Sequence, residues 1–83
     1  MKGIVRGINV STGRFFVECG DGLYAAFQAP TGVLLPRGGE FVHWRDGNSP
    51  VRRLVGDTSG TIVVSAAWLS IPRDTAMTLL QAV

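Results

Sequence analysis

Short stretches of alternating apolar and polar residues, separated by glycine-rich turns, run through this chain and limit the folds open to it. The segment RFFVEC at residues 14–19 places Phe15 and Val17 on one side of a strand. Arg14 and Phe16 then lie on the opposite side, which we predict to face water. Such a period of two residues is typical of a β-strand with one buried face.

The same pattern predicts strands along most of the chain. Residues 30–36 are bracketed by Pro30 and Pro36, which discourage regular structure, so we predict a loop there. Many short strands joined by glycine turns indicate a sandwich or a barrel, and this chain is short for a sandwich. We therefore predict an all-β fold, a closed five-stranded barrel, and leave open which segment completes it. The predicted strands are 3–10, 14–19, 23–29, 40–45 and 61–69, with a short β-like run at 51–55.

The C-terminal end has a different periodicity. Pro72 suits the first turn of a helix, and apolar residues such as Ala76 and Leu80 follow at helical spacing. We predict a short helix over about 72–82 that caps the barrel. With no internal repeat or linker, residues 1–83 form one domain.

Composition narrows the class of protein further. Apolar residues make up 46% of the 83 residues and charged residues 17%, so the chain has enough apolar surface to fold without a disulfide. The net charge is only +2, and long-range attraction for a polyanion is therefore weak. No apolar run approaches the roughly 20 residues that span a bilayer. We predict a cytoplasmic protein that does not bind membranes.

No combination of residues in the sequence predicts catalysis, a metal site or a cofactor. His43 is the sole histidine and has no cysteine or second histidine at ligand spacing. Cys19 alternates with Phe15 and Val17, so we predict that its thiol is buried and unreactive. The acidic residues are scattered through turns and strand ends as ordinary surface carboxylates. They are Glu18, Asp21, Glu40, Asp46, Asp57 and Asp74.

The two tryptophans are the largest apolar groups in the chain. Alternation places Trp68 on the same face as Val64 and Ala66. We therefore predict that Trp68, like Trp44, contributes to the core.

The N-terminal third resembles the cold-shock branch of the oligonucleotide-binding fold. The segments KGIVRGIN, STGRFFVE and DGLYAAFQ follow its order and spacing over residues 2–28, and GGEFVHW at 38–44 is a weaker match. The resemblance implies a five-stranded barrel whose second and third strands present aromatic rings to unpaired bases.

Several rings of that family are absent from this chain. The tryptophan and phenylalanine of its first strand fall on Gly7 and Ile8, and the first phenylalanine of its second strand falls on Arg14. Ala29 and Pro30 stand where histidine and phenylalanine are expected. The resemblance therefore implies the fold more directly than the activity.

Two rings of the family remain, at Phe16 and Phe27. The family register turns Phe27 outward, whereas simple alternation places it beside Leu23 on the buried face. A β-bulge can reconcile the two registers.

Two functions are compatible with these observations. The first is a non-enzymatic module that binds single-stranded RNA or DNA weakly through the face of the first three strands, with a loop arginine pair as a phosphate clamp. The same arginines are also typical of a solvated barrel surface. The candidate nucleic-acid-binding residues are Arg6, Ile8, Arg14, Phe16, Phe27, Arg52 and Arg53.

The second function is a protein-interaction or oligomerisation module that has lost nucleic-acid binding. In it, Ile8 and Phe16 form an exposed apolar patch, and the helix at 72–82 docks on a protein partner or a second copy. This alternative accounts for the missing rings.

Overall fold

Six β-strands and one C-terminal helix form the fold in the computed structural model, which describes residues 1–45 and 49–81. Each strand is antiparallel to its neighbours, and pairing of the first strand with the fourth closes the barrel in the order β1-β2-β3-β6-β5-β4. The elements are β1 Lys2–Asn9, β2 Arg14–Cys19, β3 Tyr24–Gln28, β4 Phe41–His43, β5 Val51–Gly56, β6 Gly60–Ile71 and α1 Arg73–Gln81.

The prediction of a mostly β barrel with a short C-terminal helix is confirmed, but the predicted number of five strands is wrong. The sixth strand is β5, the run at 51–55 whose role the sequence left open. It pairs with β6 from Val51 opposite Ser65 to Gly56 opposite Gly60, and also with β4. Residues 46–48, which follow the predicted strand 40–45, lie outside the described residues, as does the end of the predicted helix beyond residue 81.

The barrel interior holds the larger of two apolar clusters. Phe27 lies at its centre, with its ring 5.7 Å from that of Phe15 and 5.1 Å from that of Trp44. Simple alternation along β3 is therefore correct, and the outward family register is wrong for Phe27. The buried members of this cluster are Val5, Phe15, Val17, Ala25, Phe27, Ala29, Val42, Trp44, Leu54 and Val64.

The second apolar cluster lies outside the barrel, between the outer face of β2 and β3 and the helix α1. Phe16, Tyr24 and Ala26 are buried there against Ala76 of the helix. The helix thus adds a second layer to the barrel, because its apolar stripe needs a surface to cover it.

Strand β6 is irregular in its second half. Ala66 lies opposite Phe27 and Trp68 lies opposite Ala26, so one extra residue is inserted in β6 between the two pairs. A bulge of this kind reverses the faces of the residues that follow. Trp68 therefore lies on the outer surface with 36% of its area exposed, and the predicted core position is wrong.

Glu40 is buried, which corrects its assignment as a surface carboxylate. Its carboxylate accepts hydrogen bonds from the backbone N–H groups of Arg37 (3.0 Å), Thr58 (2.8 Å) and Ser59 (2.7 Å), and from the Ser59 hydroxyl (2.7 Å). A Cβ atom on Gly56 would collide with the carboxylate, so the glycine leaves room for it. Glu40 thereby holds the β5–β6 turn against the loop before β4.

Candidate functional site

The face of β1–β3 that the sequence predicts as the binding face is covered by α1. Phe16 lies on the side opposite Phe15, as its alternation predicts, but its exposed area is 0%. The predicted exposure of Phe16 is therefore wrong, because the period of two separates the faces of a strand without showing which face is covered. Stacking of a base on this ring would require the helix to leave.

Contacts from β1 hold the helix in place. Gly7 lies opposite Phe16, and a Cβ atom at Gly7 would collide with a methyl group of Leu80. The side-chain amide of Asn9 donates to the Leu80 carbonyl oxygen at 3.0 Å, which satisfies a carbonyl at the end of the helix. At the position where the resemblance implies a tryptophan, the helix thus packs directly on the sheet.

Ile8 does not form part of an exposed patch. A register shift between Val5 and Gly7 places Ile8 opposite Phe15, and its half-buried side chain packs against the interior cluster. The apolar surface of Ile8 and Phe16 that the protein-interaction hypothesis requires is therefore absent.

Arg6 is exposed, but its charge is paired. Its Nε atom lies 2.9 Å from Glu18 Oε1, and both side chains are about half exposed to solvent. An exposed pair of this kind contributes only about 0–1 kcal/mol to stability, but it places a negative charge beside the arginine. Arg6 is therefore less suited to a phosphate than an arginine without a carboxylate neighbour.

Arg14 stacks on Trp68. Its guanidinium carbon lies 4.8 Å from the centre of the indole ring, which is cation–π geometry. The Arg14 Nε atom is covered and has no hydrogen-bond partner among the described residues. Stacking therefore fixes the plane of the guanidinium and leaves its terminal nitrogens as the groups that can meet a ligand.

The pairing of the strands extends this stacked pair into a surface. Arg14 lies opposite Gln28, Gln28 opposite Ser65, and Ser65 opposite Val51. These four residues form a row across β2, β3, β6 and β5 that curves around half of the closed barrel, and Trp68 flanks its Arg14 end. We call these five residues the β6 face. Three strand spacings make the row roughly 14 Å long.

Arg52 and Arg53 lie in β5, so their predicted loop position is wrong. Arg53 is exposed, on the same outer side as Val51 and opposite Val63. Arg52 points to the interior side at the end of the barrel, is only 6% exposed, and donates from Nη1 to the Val51 carbonyl oxygen at 3.3 Å. Arg14 and Arg53 both lie on the outer side of the barrel, but β2 and β5 are three strands apart in the closed barrel, so the two arginines lie on different sides of it. Phe16 lies on the same face of β2 as Arg14 but beneath α1, and Phe27 lies inside the barrel.

Sequence reasoning missed Trp68 as a surface residue. The segment 67–70 is exposed throughout, and Ser70 has a φ of 57°, a left-handed value for a residue other than glycine. The sequence holds only a weak signal that Trp68 is exposed. The β-like sequence continues through residue 71, which makes β6 longer than either of the strands that pair with it, β3 and β5.

The described part of the chain shows neither a cluster of metal ligands nor an activated thiol. No three side chains of His, Cys, Asp or Glu come together there. Cys19 is half-buried, and burial, with a smaller contribution from the charge of Asp21, raises the pKa of its thiol. The thiolate fraction at neutral pH is correspondingly small.

A comparison of the chain with protein-family models, curated proteins and solved structures finds no match. Within the described residues, no helix has the length and apolar character needed to cross a membrane.

Proposed function

We propose that this protein is a non-enzymatic module that binds single-stranded nucleic acid on its β6 face. We further propose that the barrel is a variant of the cold-shock-like, oligonucleotide-binding fold in which α1 covers the usual stacking surface. The observation that carries the proposal is the Arg14–Trp68 pair, in which the guanidinium carbon lies 4.8 Å from the centre of a partly exposed indole ring.

An unpaired base has a natural place on this stack. One side of the Arg14 guanidinium rests on Trp68, and a base on the other side extends the column by cation–π and stacking contacts. The terminal nitrogens of Arg14 are then within reach of the adjoining phosphate. This contact recognises the π-face that every base has, so binding on it is tolerant of sequence.

The rest of the β6 face can contact a nucleic-acid strand that continues from the Arg14–Trp68 pair. The Ser65 hydroxyl is exposed and can donate to sugar or phosphate oxygens, whereas the Gln28 side-chain amide already donates to the carbonyl oxygens of Thr12 and Ala29. The modest net charge of +2 predicts weak binding that is lost as salt rises.

Fluorescence anisotropy tests this proposal with a labelled single strand of about 12 nucleotides at low salt. We expect Trp68→Ala and Arg14→Ala each to weaken binding by about 5- to 150-fold, the range that the loss of one stacked base gives. Phe41→Ala is the matched control, because Phe41 is a 44% exposed aromatic residue on β4, away from the β6 face. A flat titration, or an equal loss in Phe41→Ala, contradicts the proposal.

A second candidate function is self-association through the outer half of β6. Strand β5 pairs with β6 only up to Ser65, and past Ala66 the described residues supply β6 with a strand partner on one side only, β3. The segment 67–71 carries no charge, and Leu69 is exposed, so two copies can pair as antiparallel strands without repulsion.

Light scattering separates the two functions. A dimer that dissociates in Leu69→Asp, together with no binding of single strands, favours self-association. A monomer whose binding depends on Trp68 favours the nucleic-acid module. Ile8 is not a suitable position for this test, because a charge there would disturb the interior cluster.

A further inference from the structure

The connection between β6 and α1 is short and strained. Strand β6 ends at Ile71 and α1 begins at Arg73, so Pro72 alone joins them. Just before it, Ser70 has a φ of 57°, the one positive φ outside glycine among the described residues. The left-handed region is unfavourable for a residue with a Cβ atom. The chain therefore turns from β6 onto the outer face of β1–β3 through a strained segment, residues 70–72, which we call the β6–α1 hinge.

The surfaces that meet beneath α1 are apolar on both sides. Phe16 and Tyr24 of the sheet are buried there against Ala76, with Leu79 and Leu80 of the helix packed around them. If the helix left the sheet, both surfaces would be exposed to water, which is unfavourable in proportion to their apolar area. A helix of nine residues is also too short to be stable alone. An opened hinge is therefore compatible with folding only when α1 finds an equivalent face elsewhere.

The equivalent face is the same face of a second copy. Its shape is specific for α1, because Leu80 packs on β1 at Gly7, where a Cβ atom would collide with it. The side-chain amide of Asn9 also donates to the Leu80 carbonyl oxygen at 3.0 Å. Neither contact involves the hinge, and β1 lies at the other end of the chain. A helix from a second copy can therefore make the same contacts.

We propose that two copies of this chain exchange α1 by opening the β6–α1 hinge, so that each helix covers the outer face of β1–β3 of the other copy. The exchanged dimer keeps every contact of α1 with the sheet, and Ser70 is free to take the extended φ of a strand. Ile71 precedes a proline, which favours extended backbone and so suits an open hinge. Short hinges under strain are typical of such exchange. This dimer differs from the pairing of β6 edges, because the exchanged helices hold the two copies together.

Light scattering of the full chain, refolded at low and at high concentration, tests the exchange. We expect a dimer whose fraction rises with concentration. Ser70→Gly should raise its dissociation constant by at least about tenfold, because glycine takes a positive φ without strain and the dimer then no longer relieves two strained residues. Thr61→Gly is the matched control, at an exposed position of β6 whose φ is not positive, and should leave the dissociation constant unchanged.

Cysteine cross-linking identifies the exchanged contact. A Cβ atom at Gly7 would lie 3.6 Å from the Leu80 Cγ atom, so cysteines at these two positions are close enough for a disulfide. Chains that carry Cys19→Ala and Gly7→Cys are refolded together with chains that carry Cys19→Ala and Leu80→Cys, and the mixture is then oxidised. We expect a covalent heterodimer, which requires the helix of one copy to lie on the sheet of the other. Gly38→Cys in place of Gly7→Cys is the control, since its Cβ atom would meet nothing within 4 Å.

A chain that stays monomeric at every concentration overturns the proposal. A dimer that is unchanged in Ser70→Gly, or that forms no more disulfide between positions 7 and 80 than the Gly38→Cys control, also overturns it. Dissociation of that dimer in Leu69→Asp would then indicate pairing of β6 edges. Binding of single strands is tested separately, because it depends on Trp68, and Trp68→Ala should leave the cross-link unaffected.

Discussion

Leu80 of the helix packs directly on the backbone of Gly7 in β1, with no room for a Cβ atom between them. This contact explains why the outer face of β1–β3 is a packed layer in this protein. We expect Gly7→Val to push the helix away and lower the free energy of unfolding by about 1–3 kcal/mol, as overpacking does elsewhere. Urea unfolding measures the change, and amide exchange in α1 should quicken.

Gly38→Val is the control for this substitution. An added Cβ atom at Gly38 meets no atom within 4 Å, and its φ is not positive. We expect its effect to stay within about 0.5 kcal/mol. Equal urea midpoints for the two variants would show that packing of the helix does not require a residue without a Cβ atom at position 7.

Phe16 behaves as a core residue. Its ring is fully buried between the sheet and α1, so we expect Phe16→Ala to lower the free energy of unfolding by about 3–5 kcal/mol. Phe41→Ala, at an exposed phenylalanine, should lower it by less than about 1 kcal/mol. Thermal unfolding of both variants measures this difference. An unchanged melting temperature in Phe16→Ala would indicate that the Phe16 ring lies on the surface.

Glu40 makes the fold sensitive to acid. Burial alone would raise the pKa of its carboxyl group, but hydrogen bonds from Ser59, Arg37 and Thr58 to the ionised form outweigh burial and lower the pKa from 4.5 to about 2. Because the folded value is the lower one, the stabilisation is complete above about pH 4.5 and disappears as the pH falls through 2. The full difference corresponds to about 3 kcal/mol.

Replacing Glu40 by glutamine checks this dependence. We expect Glu40→Gln to lose most of the 3 kcal/mol or so at pH 7 and to flatten the fall in stability between pH 5 and pH 2. Glu18→Gln, at an exposed ion pair, should change stability by at most about 1 kcal/mol. An unfolding series from pH 7 to pH 2 distinguishes the two variants, and parallel curves for Glu40→Gln and the natural chain would contradict the assignment.

The two tryptophans should respond differently to substitution. Trp44 is buried in the barrel, so Trp44→Ala should cost about 3–5 kcal/mol. Trp68 lies outside beneath Arg14 with 36% of its area exposed, so Trp68→Ala should cost less, about 1–3 kcal/mol, from lost apolar contact and the lost cation–π contact. Chemical unfolding of both variants gives the comparison. A larger loss of stability in Trp68→Ala than in Trp44→Ala would indicate that Trp68 lies in the core.

The sequence was informative wherever local alternation was regular. The opposite faces of Phe15 and Phe16, the interior position of Phe27 and the C-terminal helix all follow from periodicity, because backbone geometry fixes which side chains share a face. The candidate site was harder to predict. Arg14 was among the predicted binding residues, which stays a prediction, whereas Trp68 was assigned to the core because no local signal marks the bulge before it.

Local residue patterns determined that the chain forms antiparallel strands and a terminal helix, since turns and side-chain period act over a few residues. Only the tertiary structure decided which outer face remains exposed. That choice depends on contacts between distant segments, such as Leu80 on Gly7 and the Glu40 carboxylate on Ser59. Such contacts arise when the barrel closes, and they reverse the expected roles of Phe16 and Trp68 without any change in the local pattern.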